Sequence, residues 1–554
     1  MLQGIRDYFA DKYIPDVLQT PNTSPRIEGR RSSGTPDSKA TPKKYHGLKN
    51  MNLPELLKKR VDAAPDKTFL ISEADGRQFT YAQFRSAVNR AANLLLAHGV
   101  RKGDAVGLLM PNSAEYVIAY FACWQLGAVA GPINSLLKSQ ELAFVLQNSE
   151  ARALLVHPDY EANITTIRTQ LPLLQSVISF ADEALATRDH SEEPEKQPEQ
   201  EITSDDEAII IYTSGTTGKP KGCLLTHGNV IANARQISEW LGFKESDRLL
   251  SIMPLFHMNA VSVTTMAALY AGASTVVSPK FSASRFWQII SDYQVTSFGS
   301  VATMLSMLLT TYPHGVPEGL KTDQLRFAMC GSAPVPAEVM KRFEETFHCL
   351  VIEGYGLSES TCRSTFNPPN EGRRAGSCGV PIGNEMRVVD DDDHEVPDGQ
   401  LGEIVLRGEN ILKGYYKNPE ATQTAFRNGW FHTGDVGYRD ADGFYYIVDR
   451  KSDMIIRGGE NIYPREIDEV LYQHPEVAAA ATIGIPDSLY GEEVAAFVVL
   501  KEGATVTAEE LTSFCRDRLA DYKSPKSIRI VAEIPKGPTG KLLKRELSRL
   551  YAAG

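Results

Sequence analysis

The sequence predicts an α/β protein that contains more than one structural unit. Apolar runs of strand length alternate with amphipathic helical patterns over most of the chain, which is typical of largely parallel sheets covered by helices. From about residue 380 the pattern changes to short strands and Gly-rich turns, and a separate α+β pattern follows in the C-terminal part. With 554 residues the chain is too long for a single core, so we expect about two to four units.

The N-terminal region is predicted to be disordered up to about Met51, because residues 20–48 are rich in Pro, Ser, Thr, Gly and Lys. After it, apolar spacing predicts an amphipathic helix over 81–98. A buried strand over 105–110 and a second helix over about 113–126 follow. These elements begin the α/β alternation.

The middle of the chain continues this alternation. An acidic, Pro- and Gln-rich segment over 189–207 is expected to be a solvated loop. The elements predicted after it are strands over 208–212, 297–300, 325–330 and 350–353 and a helix over 286–295. The charged stretch 449–454 is predicted to be a hinge between two structured regions.

Residues 212–222 form a Gly-, Ser- and Thr-rich stretch that predicts a phosphate site. Such a loop wraps its backbone N–H groups and hydroxyls around phosphate oxygens, and two lysines add positive charge. The spacing is not that of a Walker A loop. A flexible surface linker is the alternative, but the lysines and the apolar strand immediately upstream favour phosphate binding. The candidate residues are Thr213, Ser214, Gly215, Thr216, Thr217, Gly218, Lys219 and Lys221.

Composition excludes some classes of partner. The net charge of −11 argues against nonspecific binding to nucleic acid or to an anionic membrane, which needs a basic surface. No secretory signal and no run of about 18 apolar residues is present, so no transmembrane segment is expected. The seven cysteines are scattered without zinc-ligand spacing, which favours reduced thiols in a cytoplasmic protein.

Three candidate loops, 213–222, 331–334 and 354–359, each follow a predicted strand. Ligands of α/β sheets bind outside the carboxyl ends of strands, so we expect all three loops on one rim. Tyr355 can stack on a nucleotide base or fill the core. Glu359, expected at the start of a helix, can bind Mg²⁺ or simply cap that helix.

Four further polar residues each allow two interpretations. Asp435, expected at a tight turn, can accept ribose hydroxyls or only hold the turn. Arg450 can bind ribose or phosphate, or form a surface ion pair. His257 can approach a carboxylate substrate or serve a structural role. Lys541 lies in a Gly/Pro-rich loop and, taken alone, is a solvated lysine.

Taken in order, these motifs resemble the adenylate-forming superfamily of acyl-CoA synthetases, nonribosomal adenylation domains and luciferases. The resemblance covers nearly everything after Met51. It is carried by residues 212–222, 331–334, 355–359, 430–435, 449–450, 457–461 and 538–541. Residues 253–257, 281–287 and 430–440 look most like bacterial acyl-CoA ligases of the medium-chain and carnitine/crotonobetaine type.

The resemblance implies an N-terminal domain over 51–449, made of stacked mixed sheets with helices and a small β-subdomain. It implies a small mobile α+β C-terminal domain over 450–554 and a poorly ordered extension over 1–50. The implied reaction joins a small carboxylic acid to CoA in two steps. The carboxylate attacks the α-phosphorus of MgATP, giving an acyl-adenylate and pyrophosphate. The C-terminal domain then rotates, and the CoA thiolate attacks the acyl carbon and releases AMP.

The matched motifs also imply a role for each site residue. In the N-terminal domain these are Thr213 to Lys221 for the β- and γ-phosphates, Glu359 for Mg²⁺, Ser358 for the α-phosphate, Gly331, Ser332, Ala333, Pro334 and Tyr355 for adenine, and Asp435 and Arg450 for ribose. Gly356 is a further residue expected to bind the nucleotide. In the C-terminal domain, Lys541 acts in the first step, and Gly458 and Gly459 reach the thiolation site in the second. His257 lies where the acyl pocket meets the adenylate.

The sequence departs from the family pattern at Ser452, where the hinge usually has Asp or Lys; small hinge residues are tolerated. The expected pocket residues, near His257, 301–304, 331–332 and Gly354, are uncharged apart from His257. They favour an apolar acyl chain or ring over a dicarboxylate.

Three alternative functions remain open: loading of a separate carrier protein, an oxidative luciferase-like activity, and nucleotide binding without catalysis. Carrier-protein loading differs from CoA ligation in that its rate does not depend on CoA. A luciferase-like activity would be recognised by light emission or oxygen uptake. Against the third stand five intact site residues: Lys219, Glu359, Asp435, Arg450 and Lys541.

Overall fold

The computed structural model describes residues 50–180, 201–213, 220–332, 334–536 and 542–552. The predicted disordered extension over 20–48 lies outside these residues, as does most of the predicted acidic loop over 189–207. In the described parts of the chain, no helix combines the length and the apolar character needed to cross a bilayer.

The first part of the chain alternates helices and strands as predicted. Its elements are α1 (Leu53–Ala63), β1 (Thr68–Ser72), β2 (Gln78–Thr80), α2 (Tyr81–Ala97), β3 (Ala105–Leu109), α3 (Ala114–Gln125), β4 (Val129–Pro132), α4 (Ser139–Asn148), β5 (Ala153–Val156), α5 (Glu161–Ile167) and β6 (Ser176–Ser179). Helix α1 begins at a capping box in which the Asn52 side chain accepts the Glu55 N–H and the Glu55 carboxylate accepts the Asn52 N–H. Thr80 and Gln83 cap α2 in the same way.

The middle part continues the alternation and adds a π-helix over Asn259–Met266. Its other elements are β7 (Glu207–Thr213), β8 (Lys221–Thr226), α6 (His227–Leu241), β9 (Arg248–Ser251), α7 (Ala267–Ala271), β10 (Ser274–Val277), α8 (Ala283–Asp292), β11 (Ser297–Ser300), α9 (Ala302–Thr311), β12 (Phe327–Cys330), α10 (Ala337–Phe347) and β13 (Leu350–Glu353). The helix predicted over 286–295 therefore begins three residues earlier than expected, at Ala283. No side-chain cap marks that start, because Ser282 makes no capping hydrogen bond.

Short strands dominate from residue 365 onward. They begin with β14 (Thr365–Phe366), β15 (Val380–Pro381), β16 (Glu385–Val389), β17 (Gly402–Arg407), β18 (Gly414–Tyr415), α11 (Pro419–Ala425), β19 (Phe426–Arg427), β20 (Trp430–Arg439) and β21 (Tyr445–Arg450). The C-terminal elements are β22 (Ile455–Arg457), β23 (Glu460–Ile462), α12 (Pro464–Tyr472), β24 (Val477–Asp487), β25 (Gly491–Leu500), α13 (Ala508–Arg516), β26 (Ser527–Ile530) and α14 (Lys544–Ala552). Five 3-10 turns lie at Pro158–Tyr160, Arg168–Gln170, Ser358–Ser360, Lys451–Asp453 and Asp521–Lys523.

Two seven-stranded sheets form the large N-terminal part. Sheet 1 has the order β13-β12-β11-β9-β10-β1-β2 and is parallel except for β2. Sheet 2 has the order β18-β8-β7-β4-β3-β5-β6; β8 is antiparallel to both of its neighbours, β7 and β18, and all other pairs are parallel. One large cluster of buried apolar side chains includes residues from both sheets and their helices. The prediction of largely parallel sheets is confirmed.

Three smaller sheets complete the described structure, of which one is the two-stranded antiparallel pair β14–β15. Sheet 3, β16-β17-β20-β19 with β21 paired to β20, is antiparallel and corresponds to the predicted β-subdomain. Sheet 4 contains β23, β22, β25, β24 and β26, and its core clusters are separate from that of the large part. The chain thus has the predicted mixed α/β architecture followed by an α+β unit.

Candidate active site

The three candidate loops come from two sheets, so the prediction of a single rim is wrong. The loops at 331–334 and 354–359 follow the neighbouring strands β12 and β13 of sheet 1. Strand β7, which precedes the phosphate stretch, belongs to sheet 2 and pairs with the antiparallel β8. The phosphate stretch therefore connects two antiparallel neighbours.

Strand β18 brings Glu359 close to Lys221 and Cys223, where the phosphate stretch ends. The Tyr415 hydroxyl donates a hydrogen bond of 3.1 Å to Oε1 of Glu359, and the Leu412 N–H donates to the Glu359 carbonyl at 2.8 Å. Tyr415 is also the register partner of Cys223, which lies in β8 next to the phosphate stretch. Burial and the nearby Glu359 carboxylate raise the pKa of the Cys223 thiol, so this cysteine stays protonated.

Two phosphate-stretch residues within the described structure stand opposite each other. Thr213 ends β7 and Lys221 begins β8, and the two are register partners. The Lys221 ammonium lies 5.2 Å from the centroid of the Tyr415 ring, so it lies on the same side as Glu359. The other predicted phosphate residues, Ser214, Gly215, Thr216, Thr217, Gly218 and Lys219, lie outside the described residues.

Glu359 lies in a 3-10 turn and not at the start of an α-helix, so that part of the prediction is wrong. The turn covers only Ser358–Ser360 and is ended by Thr361 at φ +65°. The half-buried carboxylate uses Oε1 to accept the Tyr415 hydroxyl. Among the described residues no group of three or more His, Cys, Asp or Glu is placed to hold a metal. The single carboxylate of Glu359 fits Mg²⁺ that is bound through one carboxylate and substrate phosphates, which is how the ion is usually held beside nucleotides.

Asp435, Arg450 and Tyr355 form one hydrogen-bonded group. Asp435 lies inside β20, not at a tight turn as predicted, and pairs in register with Arg450 of β21. Its Oδ1 is 3.0 Å from Arg450 Nε, and its Oδ2 accepts the Tyr355 hydroxyl at 2.5 Å. The Asp435 charge raises the pKa of Arg450, and burial together with that charge raises the pKa of Tyr355. Arg450 and Tyr355 therefore hold the Asp435 carboxylate in a fixed orientation at the edge of the β13 loop.

Glycines let the loops of sheet 1 pack closely. A Cβ at Gly331 would lie 2.7 Å from Arg363 Cζ and 2.8 Å from the Gly354 carbonyl oxygen. A Cβ at Gly356 would be 2.7 Å from the Cys362 carbonyl carbon. Such distances are shorter than side chains tolerate, so each of these positions requires glycine. In the rest of this loop, Ser332 and Pro334 are exposed. The predicted adenine residue Ala333 lies outside the described residues.

His257 lies after β9, just ahead of the π-helix. Its Nε2 is buried and has no hydrogen-bond partner among the described residues, and burial lowers its pKa to about 4. The ring is therefore neutral at pH 7. Asn259, the first residue of the π-helix, donates a long hydrogen bond of 3.5 Å to Ser332 Oγ, which links the π-helix to the β12 loop. Single stretches of π-helix are frequent at functional sites.

The predicted hinge and thiolation loop lie in the C-terminal part. Ser452 lies in the 3-10 turn after Arg450, and the preceding Lys451 binds Glu403 Oε2 at 3.0 Å. Gly458 and Gly459, with φ of +60° and +89°, form the tip of the β22–β23 hairpin. Lys541 lies outside the described residues.

The sequence did not reveal three residues of this region. Tyr415 belongs to a two-residue strand whose partner is distant in sequence, so no local pattern marks it. Asn259 lies in an apolar stretch that predicts only a buried helix. Arg363 was missed as well, although a lone charge inside the uncharged run 360–366 was a detectable signal.

Comparison with known proteins shows the same organisation over most of the chain. Residues 57–416 match the family described as AMP-binding enzyme, and residues 466–541 match the AMP-binding enzyme C-terminal domain. The sulfoacetate–CoA ligase of Cupriavidus necator is 40% identical over 508 residues, covering 89% of this chain and 97% of that protein. The long-chain-fatty-acid–CoA ligase of Mycobacterium tuberculosis is 36% identical over 506 residues, covering 91% and 99%. A solved anthranilate CoA ligase in complex with anthranoyl-AMP is 31% identical, with a TM-score of 0.82 and coverage of 91% and 98%.

Proposed function

Because the chain belongs to the AMP-binding enzyme family, we propose that it joins a carboxylic acid to CoA with ATP, through an acyl-adenylate. The observation that carries the proposal is the arrangement of two charged sites around the loops of sheet 1. Lys221 and Glu359 both lie beside Tyr415, and the buried Asp435 carboxylate pairs with the partly exposed Arg450. A nucleoside triphosphate needs both kinds of site, one for its phosphates and one for its sugar.

The proposed reaction has two steps. A carboxylate oxygen attacks the α-phosphorus of ATP, the bond from that phosphorus to the bridging oxygen breaks, and pyrophosphate leaves with the electron pair. The CoA thiolate then attacks the acyl carbon, and AMP leaves with the former carboxylate oxygen. The first step brings two anions together, so cationic and N–H groups must stabilise the charge of the transition state.

We assign Asp435 and Arg450 to the ribose. An ionised carboxylate accepts two hydroxyl hydrogen bonds, and the Asp435 carboxylate is held in place by Arg450 and Tyr355. The adenine is assigned to the loop from Gly331 to Pro334 and to Tyr355 and Gly356. The close packing of that loop, which requires glycine at 331 and 356, supports this assignment.

We assign the β- and γ-phosphates to the stretch from Thr213 to Lys221, and the α-phosphate to Ser358. Glu359 is assigned to Mg²⁺, which neutralises phosphate charge when it is bound. The Tyr415 hydrogen bond supports this role, because it fixes the direction of the Glu359 carboxylate. A neutral His257 beside the acyl group is suited to pack against the substrate without adding charge.

We further propose that residues 450–554 move as a unit between the two steps. In this proposal Lys541 contacts the α-phosphate and carboxylate in the first step, and Gly458 and Gly459 line the thiol path in the second. The separate apolar core of sheet 4 supports an independent unit. A cytoplasmic location remains a prediction from the sequence; the seven unpaired cysteines are consistent with a reducing compartment.

The test is pyrophosphate release with MgATP and a panel of carboxylic acids, with and without CoA. The names of the two ligases above include sulfoacetate and long-chain fatty acids, so the panel spans short anionic acids and apolar acids. We expect release that rises on adding CoA, with AMP as co-product. Release that is independent of CoA would favour transfer to a carrier protein, and no release with any acid would contradict the proposal.

A further inference from the structure

Arg363 is a buried arginine whose Nε and Nη2 have no hydrogen-bond partner among the described residues. It follows the Ser358–Ser360 turn, and only 2% of the residue is exposed. Its Nε and Nη2 are buried and make no hydrogen bond to any described residue, and no described carboxylate pairs with it within 4.0 Å. Burying an unpaired charge is costly, so such a group needs an explanation.

The backbone of Arg363 is fixed, and its side chain points toward the end of β12. Its N–H donates to Asn233 Oδ1 at 3.2 Å, and its carbonyl accepts the Asn233 amide at 2.6 Å. The guanidinium lies 5.4 Å from the centroid of the Phe366 ring, which covers one face. The position is therefore held by the fold and does not depend on an ion pair.

Gly331 makes the space that the guanidinium occupies. A Cβ at this position would lie 2.7 Å from Arg363 Cζ, so only glycine leaves the guanidinium in place. The next residue, Ser332, is exposed and accepts the hydrogen bond from Asn259. The charge thus lies directly behind the loop at which the acyl pocket was expected.

Glu353 is a buried carboxylate that feels the Arg363 charge but forms no ion pair with it. Glu353, the last residue of β13, uses Oε1 to accept the Val335 N–H, while its Oε2 also lacks a partner. Burial raises the pKa of Glu353 to about 7, so a large fraction of this group is protonated near neutral pH. The competing explanation for the buried Arg363 is a structural pair with Glu353. If that explanation holds, the stability of the fold depends on both side chains.

We propose that Arg363 binds a second anionic group of the acid substrate, a carboxylate or a sulfonate carried on a short chain. The forked guanidinium donors match two oxygens of either group. The inference rests on the proposed ligase function and specifies its substrate class. It replaces the expectation of an apolar acid, which came from a pocket taken as uncharged apart from His257.

The test compares Arg363→Met and Arg363→Lys with wild type on matched acids: malonate, succinate and sulfoacetate against acetate and butyrate. We expect wild type to prefer one or more of the dianions. Arg363→Met should lower kcat/KM for the preferred dianion by about 100-fold, since a charge-assisted contact is lost, while kcat/KM for butyrate stays the same or rises. Arg363→Lys should retain part of the activity, because the charge remains without the fork. The relative rates with sulfoacetate and the dicarboxylates separate the two anionic groups.

Thermal stability separates binding from a structural role. An apolar side chain in place of an unpaired buried charge should leave Tm unchanged or higher. The matched control is Arg326→Met: Arg326 stacks on Phe327 at 4.9 Å but pairs with Asp247 at 2.9 Å. This control should lower Tm and leave the ratio of dianion to monoanion activity unchanged.

Three outcomes would overturn the inference. A wild-type preference for monoanionic apolar acids would do so while leaving the ligase function intact. An equal loss of kcat/KM for both classes in Arg363→Met, with a lowered Tm, would assign Arg363 to structure. Absence of ligation with every acid would remove the ligase function and the inference together.

Discussion

Replacing Asp435 by Asn tests whether the buried carboxylate holds the ribose. Asn has nearly the same shape, but it offers one acceptor oxygen where Asp435 offers two to Arg450 at 3.0 Å and Tyr355 at 2.5 Å. A hydrogen bond to a charged group contributes about 1.5–3 kcal/mol, against about 1 kcal/mol for a neutral one. Because the Arg450 side chain is 37% exposed, solvent screening reduces the contribution of the Asp435–Arg450 contact to stability. We therefore expect the substitution to lower the free energy of unfolding by about 1–2 kcal/mol.

The effect on ATP should exceed the effect on stability. If Asp435 accepts the ribose hydroxyls, the amide loses one charge-assisted bond of about 1.5–3 kcal/mol, which corresponds to a fall of about 10- to 150-fold in kcat/KM for ATP. The assay is AMP formation against ATP concentration at saturating acid and CoA, alongside thermal denaturation. The matched control is Asp440→Asn in the turn that follows β20, where Asp440 binds Arg374 at 2.6 Å. It should lower stability without changing kcat/KM for ATP.

Deoxy analogues of ATP make this prediction refutable. In wild type, removing the 2′- or 3′-hydroxyl of ATP should lower kcat/KM. In Asp435→Asn the same removal should lower kcat/KM by a smaller factor, because the hydrogen bond between residue 435 and the ribose is already weakened. An unchanged penalty for the deoxy analogues in the variant would show that Asp435 only joins β20 to β21.

Three further changes test other parts of the account. Lys541→Ala should lower acyl-adenylate formation by about 100-fold or more yet spare thioester formation from synthetic acyl-adenylate; equal loss in both half-reactions would contradict the assignment. Glu359→Ala should lower pyrophosphate release and raise the Mg²⁺ concentration needed, with a smaller effect in Tyr415→Phe; wild-type rates would remove Glu359 from the site. Glu466→Gln should destabilise the C-terminal part by about 3–5 kcal/mol, because Lys523 Nζ binds both its oxygens at 2.9 and 2.8 Å in a buried pair. Hydrogen exchange in α12 checks this, and unchanged protection would be the contrary result.

Local elements were predictable where apolar runs have clear ends. The strand over 350–353 was predicted with both bounds correct, because its apolar run Leu350 to Ile352 ends at Glu353, just before Gly354. Asp435 was misplaced because Gly434 suggests a turn. In the structure Gly434, at φ +72°, lies at a register shift between β17 and β20, so it marks a bulge inside a strand.

Pairing between strands that are distant in sequence explains the remaining differences between the predicted and the observed structure. Nothing local shows that β7 belongs to a different sheet from β12 and β13, so the phosphate stretch was expected on the same rim as the other two loops. The contact of Tyr415 with Glu359 depends on a two-residue strand that only tertiary structure positions. The Asp435–Arg450 pair is set by the β20–β21 register, although both residues were predicted for the same ribose. Motif chemistry thus supplied the candidate residues, and tertiary pairing decided how the described ones meet.

Oxygen transfer tests the central claim, that the carboxylate attacks the α-phosphorus. The measurement uses a substrate acid labelled with ¹⁸O in its carboxylate, and mass spectrometry of AMP and pyrophosphate after a complete reaction with CoA. The account predicts one labelled oxygen in AMP and none in pyrophosphate. Label in pyrophosphate or inorganic phosphate, or ADP in place of AMP, would contradict it.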